Sequence, residues 1–182
     1  MNAENPTLLV TGAGGAGQRH ARLAGELGAT VRLVSRRGQG GHGDIASALA
    51  DGRVGHAVIA TETALHAVDL QALADAGFAG PVLVEKPLFD HMPAHLPSLP
   101  GPVFAAFNLR HLPLLQRLAT SLASLGEPLV SAQIHVGQYL PDWRPGRDYR
   151  DSYSAQAAGG GGALRDLSHE LDLALWLLGP CR

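Results

Sequence analysis

Cysteine is nearly missing. The 182 residues contain one, Cys181, so neither an intramolecular disulfide framework nor a multi-cysteine metal site can form. Aromatic residues are scarce at 5%, and charged residues make up only 16%. A chain this weakly charged and 46% hydrophobic is globular, not disordered. Neither sign of charge dominates: 14 Lys and Arg stand against 16 Asp and Glu, a formal net charge of −2. No basic field marks a nucleic-acid or membrane-surface binder. No apolar run approaches the roughly 18 residues that a spanning helix needs. The N-terminal MNAENP lacks the basic region of a signal peptide. These absences predict a cytoplasmic protein with no nucleic-acid or membrane partner. Glycine, by contrast, is abundant at 23 residues, which suits an α/β fold with tight turns and close helix–sheet contacts.

Strand and helix signals alternate along most of the chain. Thr7 to Thr11 is a short apolar run of the kind a buried parallel strand carries. A helical stretch from Gln18 to Leu27 stops at Gly28, and a second strand runs from Thr30 to Ser35. After a glycine-rich turn, Asp44 is placed to cap a short helix ending near Asp51. Further strands are predicted at Val54–Ala60, Pro81–Glu85 and Val103–Phe107, with an amphipathic helix over Thr63–Ala76. Pro93, Pro97, Pro100 and Pro102 exclude a long helix before the last of these strands. A helix over Leu112–Leu125 and a long, partly alternating strand over Leu129–Tyr139 follow. The chain closes with a glycine run at Gly159–Gly162 and a helix over Ala163–Leu178.

Gly12, Gly14 and Gly17 form G-x-G-x-x-G between a predicted strand and a predicted helix. The first glycine permits the strand-to-helix turn, the second lets backbone approach a pyrophosphate, and the third lets helix and strand pack closely. Gly12, Ala13, Gly14, Gly15, Ala16 and Gly17 are therefore candidate cofactor-binding residues, with the helix N-terminus facing the phosphates. A P-loop is excluded, because Gln18-Arg19 stand where Lys-Ser/Thr is required. The second strand ends in Ser35-Arg36-Arg37, and no carboxylate follows until Asp44. A hydroxyl and two guanidiniums suit the 2′-phosphate of NADP, which is the expected cofactor with NAD as the alternative.

Four further signatures resemble the Gfo/Idh/MocA family of NAD(P)-dependent oxidoreductases. The glycine loop continues to His20, Ala60-Thr61-Glu62-Thr63 leads to His66, Glu85-Lys86-Pro87 forms an E-K-P tripeptide, and Asp166-Leu-Ser-His169-Glu-Leu-Asp172 follows the glycine run. Phe107-Asn108-Leu-Arg110 and the segment from Gly137 to Tyr149 resemble a branch tied to cell-surface polysaccharide and nucleotide-sugar metabolism. The resemblance implies cofactor contacts from Thr61, Thr63, His66, Glu85, Lys86 and Asn108. It implies a catalytic set of Lys86, Asp166 and His169, and a cis Lys86-Pro87 bond. Such a set is chemically reasonable: an imidazole moves the hydroxyl proton near neutrality while an ammonium stabilises negative charge on the substrate oxygen. Spaced by three, Asp166 and His169 would share one helix face. Trp143, Arg144, Arg147 and Tyr149 either line a sugar pocket or pack their loop. His169-Glu170 is not a zinc-protease motif, since the second histidine would fall at Leu173, and the other histidines show no metal-ligand spacing.

The chain departs from the family in three places. Only one short helix fits between Arg37 and Val54, where another strand and helix are usual. A proline-rich segment replaces the helix after E-K-P, and the chain ends soon after the helix carrying His169. The expected architecture is α/β: a doubly wound Rossmann sheet over residues 1–126, then an incomplete α+β substrate domain over residues 127–182. The expected function is hydride transfer between a nicotinamide and a hydroxyl or ketone of a sugar or nucleotide-sugar, in a homo-oligomer. The alternative is a non-catalytic nucleotide-binding module that needs a partner chain.

Overall fold

In a computed structural model, residues 5–180 are described, apart from 128, 144, 145, 147 and 160. Arg144, Arg147, Gly160 and Cys181 therefore lie outside the described residues. The chain divides into two compact units, one ending at Ala106 and the other beginning at Phe107.

The first unit is built on five strands: β1 (Thr7–Thr11), β2 (Thr30–Val34), β3 (His56–Ile59), β4 (Val82–Val84) and β5 (Val103–Ala105). All are parallel, in the order β2-β1-β3-β4-β5. Helix α1 (Gly15–Glu26) joins β1 to β2, α2 (Ile45–Ala50) joins β2 to β3, and α3 (His66–Asp75) joins β3 to β4. Helices cover both faces of the sheet. Ile45 and Ala48 of α2 and Leu70 and Leu73 of α3 pack with Leu9, Ala57, Ile59, Val82 and Val84 in one buried cluster. Ala16 of α1 packs on the other, thinner cluster around Val10, Val58 and Ala60. This is the doubly wound Rossmann-type sheet expected from the sequence.

The strand order carries a deletion. A full Rossmann sheet runs 3-2-1-4-5-6. Here the strand outside β2 is reduced to a single bridge between Val34 and His42, with Ser35 N–H donating to His42 C=O at 3.0 Å. The short connection forms α2 directly, and Asp44 caps it as expected, accepting from Ser47 N–H at 2.7 Å. Arg32 of β2 closes the other end. Its guanidinium, on a side chain 14% exposed, donates to the carbonyls of Ala48, Asp51 and Gly52 at 2.7–2.8 Å. A cation there satisfies carbonyls that a helix end leaves without partners.

The second unit contains α4 (Pro113–Ala123), α5 (Leu140–Trp143), α6 (Ala163–Asp166) and α7 (Ser168–Leu178), with 3₁₀ turns at Asn108–His111, Tyr149–Asp151, Tyr153–Ala155 and Ala157–Gly159. Three expectations change here. The contact boundary falls at Ala106/Phe107 and not at 126/127, because α4 has no buried residue and packs with the 3₁₀ turn that begins this unit. Residues 129–139 form no strand and are exposed throughout, so the alternating residues find no partner strand to satisfy their backbone groups. The helix expected over Ala163–Leu178 is broken at Leu167, whose φ of −100° and ψ of 30° leave the helical region. Among the described residues no helix is long and apolar enough to cross a membrane.

Replacing Arg32 with Ala removes three charge-assisted hydrogen bonds from a mostly buried position. A loss of about 2 kcal/mol is expected. Thermal unfolding should show it as a drop in Tm of about 4–8 °C for a chain of this size.

Candidate functional site

The carboxyl ends of β1, β3 and β4 lie side by side, and the sequence motifs of the first unit follow directly from them. Three hydrogen bonds hold the edge together: Gly12 N–H to Val34 C=O at 2.9 Å, Ala60 N–H to Thr11 C=O at 2.9 Å, and Glu85 N–H to Ile59 C=O at 2.8 Å. Gly12 and Gly17 meet steric demands of the turn. Gly12 has φ of +90°, and a Cβ there would lie 2.4 Å from the Ala60 carbonyl oxygen. A Cβ on Gly17 would lie 1.7 Å from the Gly12 oxygen, so α1 rests directly on the turn. Gly14, the N-cap of α1, is exposed, has no side-chain cap, and would point a Cβ into open space. Gly15 is also exposed, while Ala13 and Ala16 are half-buried. Two glycines thus build the turn, and the one between them leaves bare backbone at a twelve-residue helix N-terminus. A pyrophosphate fits that cradle.

Beside the loop lies a carboxylate that the sequence reading did not single out. Asp69 of α3 has no exposed surface. Its Oδ2 accepts from the hydroxyls of Thr11 at 2.9 Å and Thr61 at 2.8 Å, and its Oδ1 accepts from Arg36 Nη2. Arg37 Nη2 donates to Glu62 Oε1 at 2.5 Å across a more exposed contact. Ser35 is buried, and its Oγ accepts from Arg37 N–H at 3.3 Å. The helical pattern of α3 contained the signal. His66, Asp69, Leu70 and Leu73 all fall on its buried stripe, and a carboxylate there requires donors.

His66 also departs from expectation. It is 1% exposed, with Nδ1 3.1 Å from the carbonyl oxygens of Pro87 and Leu88 and Nε2 3.1 Å from that of Thr61. A ring so enclosed holds the turn after β4 and offers no surface to a cofactor. Thr63 is likewise 4% exposed, and the Thr61 hydroxyl is committed to Asp69. These residues shape the edge from within.

At the end of β4, Glu85 and Lys86 are half-buried and the Lys86-Pro87 bond is cis, as the resemblance implied. Glu85 Oε1 lies 2.7 Å from His20 Nε2 on α1, and Glu85 Oε2 accepts from Lys86 N–H at 3.3 Å. Burial works to raise the Glu85 carboxyl. The His20 hydrogen bond and charge, helped by the Lys86 N–H and ammonium, outweigh it and hold the group below its ordinary range.

The remaining candidates belong to the second unit. Asp166 is buried at the end of α6, and His169 is half-buried in the first turn of α7, so the break at Leu167 separates them and a shared helix face no longer follows from their spacing. The Phe107 ring meets the His169 ring edge-on at 6.0 Å. Arg110 grips Asp172 through two hydrogen bonds of 2.6 and 2.8 Å, and its guanidinium lies 5.8 Å from the Trp176 ring centre. The Asp172 hydrogen bond, working against burial, raises the Arg110 guanidinium further. Asn108, in the turn between Phe107 and Arg110, is exposed. Trp143 and Tyr149 are half-buried, and Arg150 lies 4.8 Å from the Tyr149 ring centre. Gly161 is needed for close approach, since its Cβ would lie 2.0 Å from the Tyr153 oxygen.

Neither a protein-family model nor a curated protein sequence matches the chain. Solved structures do. The WlbA (WbpB) dehydrogenase from Thermus thermophilus, seen with NAD and either α-ketoglutarate or UDP-GlcNAcA, is 20% identical, with TM-scores of 0.69 and 0.64. The match covers 96% of this chain and 63% of that one. GenD2 from gentamicin A biosynthesis, in complex with NAD, is 25% identical over 97% of this chain and 54% of its own, with a TM-score of 0.63. Levoglucosan dehydrogenase with NADH is 23% identical over the same shares, also with a TM-score of 0.63. The chain thus has the fold of NAD-binding dehydrogenases, and it spans between about half and just under two-thirds of their length.

The lowered Glu85 carboxyl has a consequence for stability. A folded-state value below the ordinary 4.5 contributes stability that is present above that value and is lost as pH falls through the folded-state value. Glu85→Gln should lower Tm at pH 7. Its Tm should also fall less steeply than that of the wild type between about pH 5 and pH 3, measured by thermal melts across that range.

Proposed function

We propose that this chain is an NAD(P)(H)-dependent oxidoreductase of the Gfo/Idh/MocA type, acting on a hydroxyl or ketone of a sugar or nucleotide-sugar. The glycine turn carries the reading: Gly12 and Gly17 close it, and Gly14 leaves an open cradle on α1. The nicotinamides and sugar ligands of the neighbouring structures support it.

In this reading the glycine turn would hold the dinucleotide, and a nicotinamide so held would supply hydride transfer at the substrate carbon. Oxidation of a C–OH group then breaks one C–H and one O–H bond, and the proton must pass to the protein. His169 is the proposed proton acceptor, with Asp166 as its companion, and Lys86 holds the substrate oxygen. Glu85 stands next to Lys86 and is tied to α1 through His20, so the lysine backbone is fixed to the helix whose N-terminus would face the phosphates. In the second unit Phe107 sets one edge of the His169 ring.

A second reading has one observation in its favour. Leu171, Leu175 and Leu178 of α7 are 52%, 51% and 43% exposed, and residues 129–139 lie open as well. Apolar surface of that kind is covered by protein in an assembled enzyme. The chain would then bind nucleotide and act only with a partner chain, a second copy of itself included.

Two substitutions test these readings. Gly14→Ala adds a methyl group in open space, so it should change Tm little, within about 0.5 kcal/mol. The same methyl should weaken NADH or NADPH binding at least about tenfold in a fluorescence titration. Unchanged affinity would make the loop an ordinary turn. Lys86→Ala should lower kcat for a sugar substrate by about a hundredfold or more. Tight nucleotide binding with no turnover of any sugar by the wild type would favour the second reading.

A further inference from the structure

In many dinucleotide-binding sheets the second strand ends in a carboxylate that bonds the ribose 2′-hydroxyl, whereas arginines there accommodate a 2′-phosphate. This chain ends β2 with arginines, yet the fold brings two carboxylates to them from elsewhere. Asp69, fully buried on α3, accepts from Arg36, and Glu62, just after β3, accepts from Arg37. Two positive charges are thereby matched by two negative ones at the corner where a 2′-phosphate would sit.

The two pairs differ in strength. Asp69 has no access to water and, among the described residues, three side-chain donors, Thr11, Thr61 and Arg36. Were Arg36 to turn toward a phosphate, the carboxylate would keep two neutral hydroxyls and lose its cation, which is costly for a buried charge. Arg36 is therefore held. The Arg37–Glu62 pair has side chains 76% and 40% exposed, so it opens easily, but Glu62 still cancels much of the local field while it stands there.

We infer that Asp69 and Glu62 are specificity-determining residues that hold Arg36 and Arg37 in ion pairs and thereby select the dinucleotide lacking a 2′-phosphate, NAD(H), over NADP(H). The inference rests on the dinucleotide-binding reading of the glycine loop. It reverses the preference expected from Ser35-Arg36-Arg37 alone, because that expectation took the arginines as uncompensated.

The test is a pair of fluorescence titrations, NADH and NADPH, on the wild type, Glu62→Gln and Asp69→Asn. The wild type should bind NADH more tightly than NADPH. Each variant should shift the NADPH-to-NADH affinity ratio by about fivefold or more toward NADPH, the size expected from uncovering one charge near the surface. NADPH binding to the variants should also weaken with added salt more steeply than NADH binding. Glu62→Gln changes a partly exposed side chain, so it decides the matter alone if Asp69→Asn does not fold. A wild type that prefers NADPH, or a ratio unmoved in the folded variants, overturns the inference and leaves the dinucleotide reading standing. Binding of neither nucleotide overturns both.

Discussion

A carboxylate with no exposed surface, Asp69, sets the conditions for the whole carboxyl edge of the sheet. A buried charge persists only where donors meet it. Its donors come from three separate places: Thr11 at the end of β1, Thr61 after β3, and Arg36 after β2. Those three points can meet one carboxylate only if the strand ends are aligned and α3 enters at one height. One turn earlier on the same helix, His66 reaches the carbonyls after β4 and that of Thr61. The first turn of α3 thus ties together the chain after four strands, and the glycine turn rests on the frame so made.

That frame explains how the sheet tolerates a missing strand. With the outer strand reduced to the Val34–His42 bridge, β2 becomes an edge. Edges fray unless something holds them. Here arginines fasten the edge at the middle of β2 and beyond its carboxyl end. Arg32 binds the last carbonyls of α2, and Arg36 binds Asp69. The shortened connection keeps α2 on the same face as α3, where it fills the larger of the two clusters. Loss of the strand therefore removes covering from the β2 edge but leaves the crevice between β1 and β3, where such folds bind nucleotides.

Much of the first unit was legible because its constraints are local. G-x-G-x-x-G specifies a turn by sterics, and the structure gives Gly12 and Gly17 separate steric roles. Asp44 before an apolar run is a boundary signal that the backbone obeys. What escaped was pairing at a distance. Arg36 and Asp69 are 33 residues apart and Arg37 and Glu62 are 25 apart, and nothing in the residues around Ser35 discloses carboxylates that arrive from another element. The strand expected over residues 129–139 failed for a related reason. Alternation describes a face, but a strand exists only where a neighbour completes its hydrogen bonds, and the described residues provide none.

The reading of the chemistry divides along the same line as the structure. Lys86 belongs to the sheet unit, and Asp166 and His169 belong to the helical one. Each half is braced within its own unit. Glu85 and His20 fasten the β4 end to α1, while the two-point Arg110–Asp172 contact fastens the turn carrying Asn108 to α7. Groups held by ion pairs on regular elements keep their geometry without a substrate to organise them, which is what a reaction governed by positioning needs. A Glu85 carboxylate that takes up a proton as pH falls releases the brace between the β4 end and α1, so that brace is itself a function of pH.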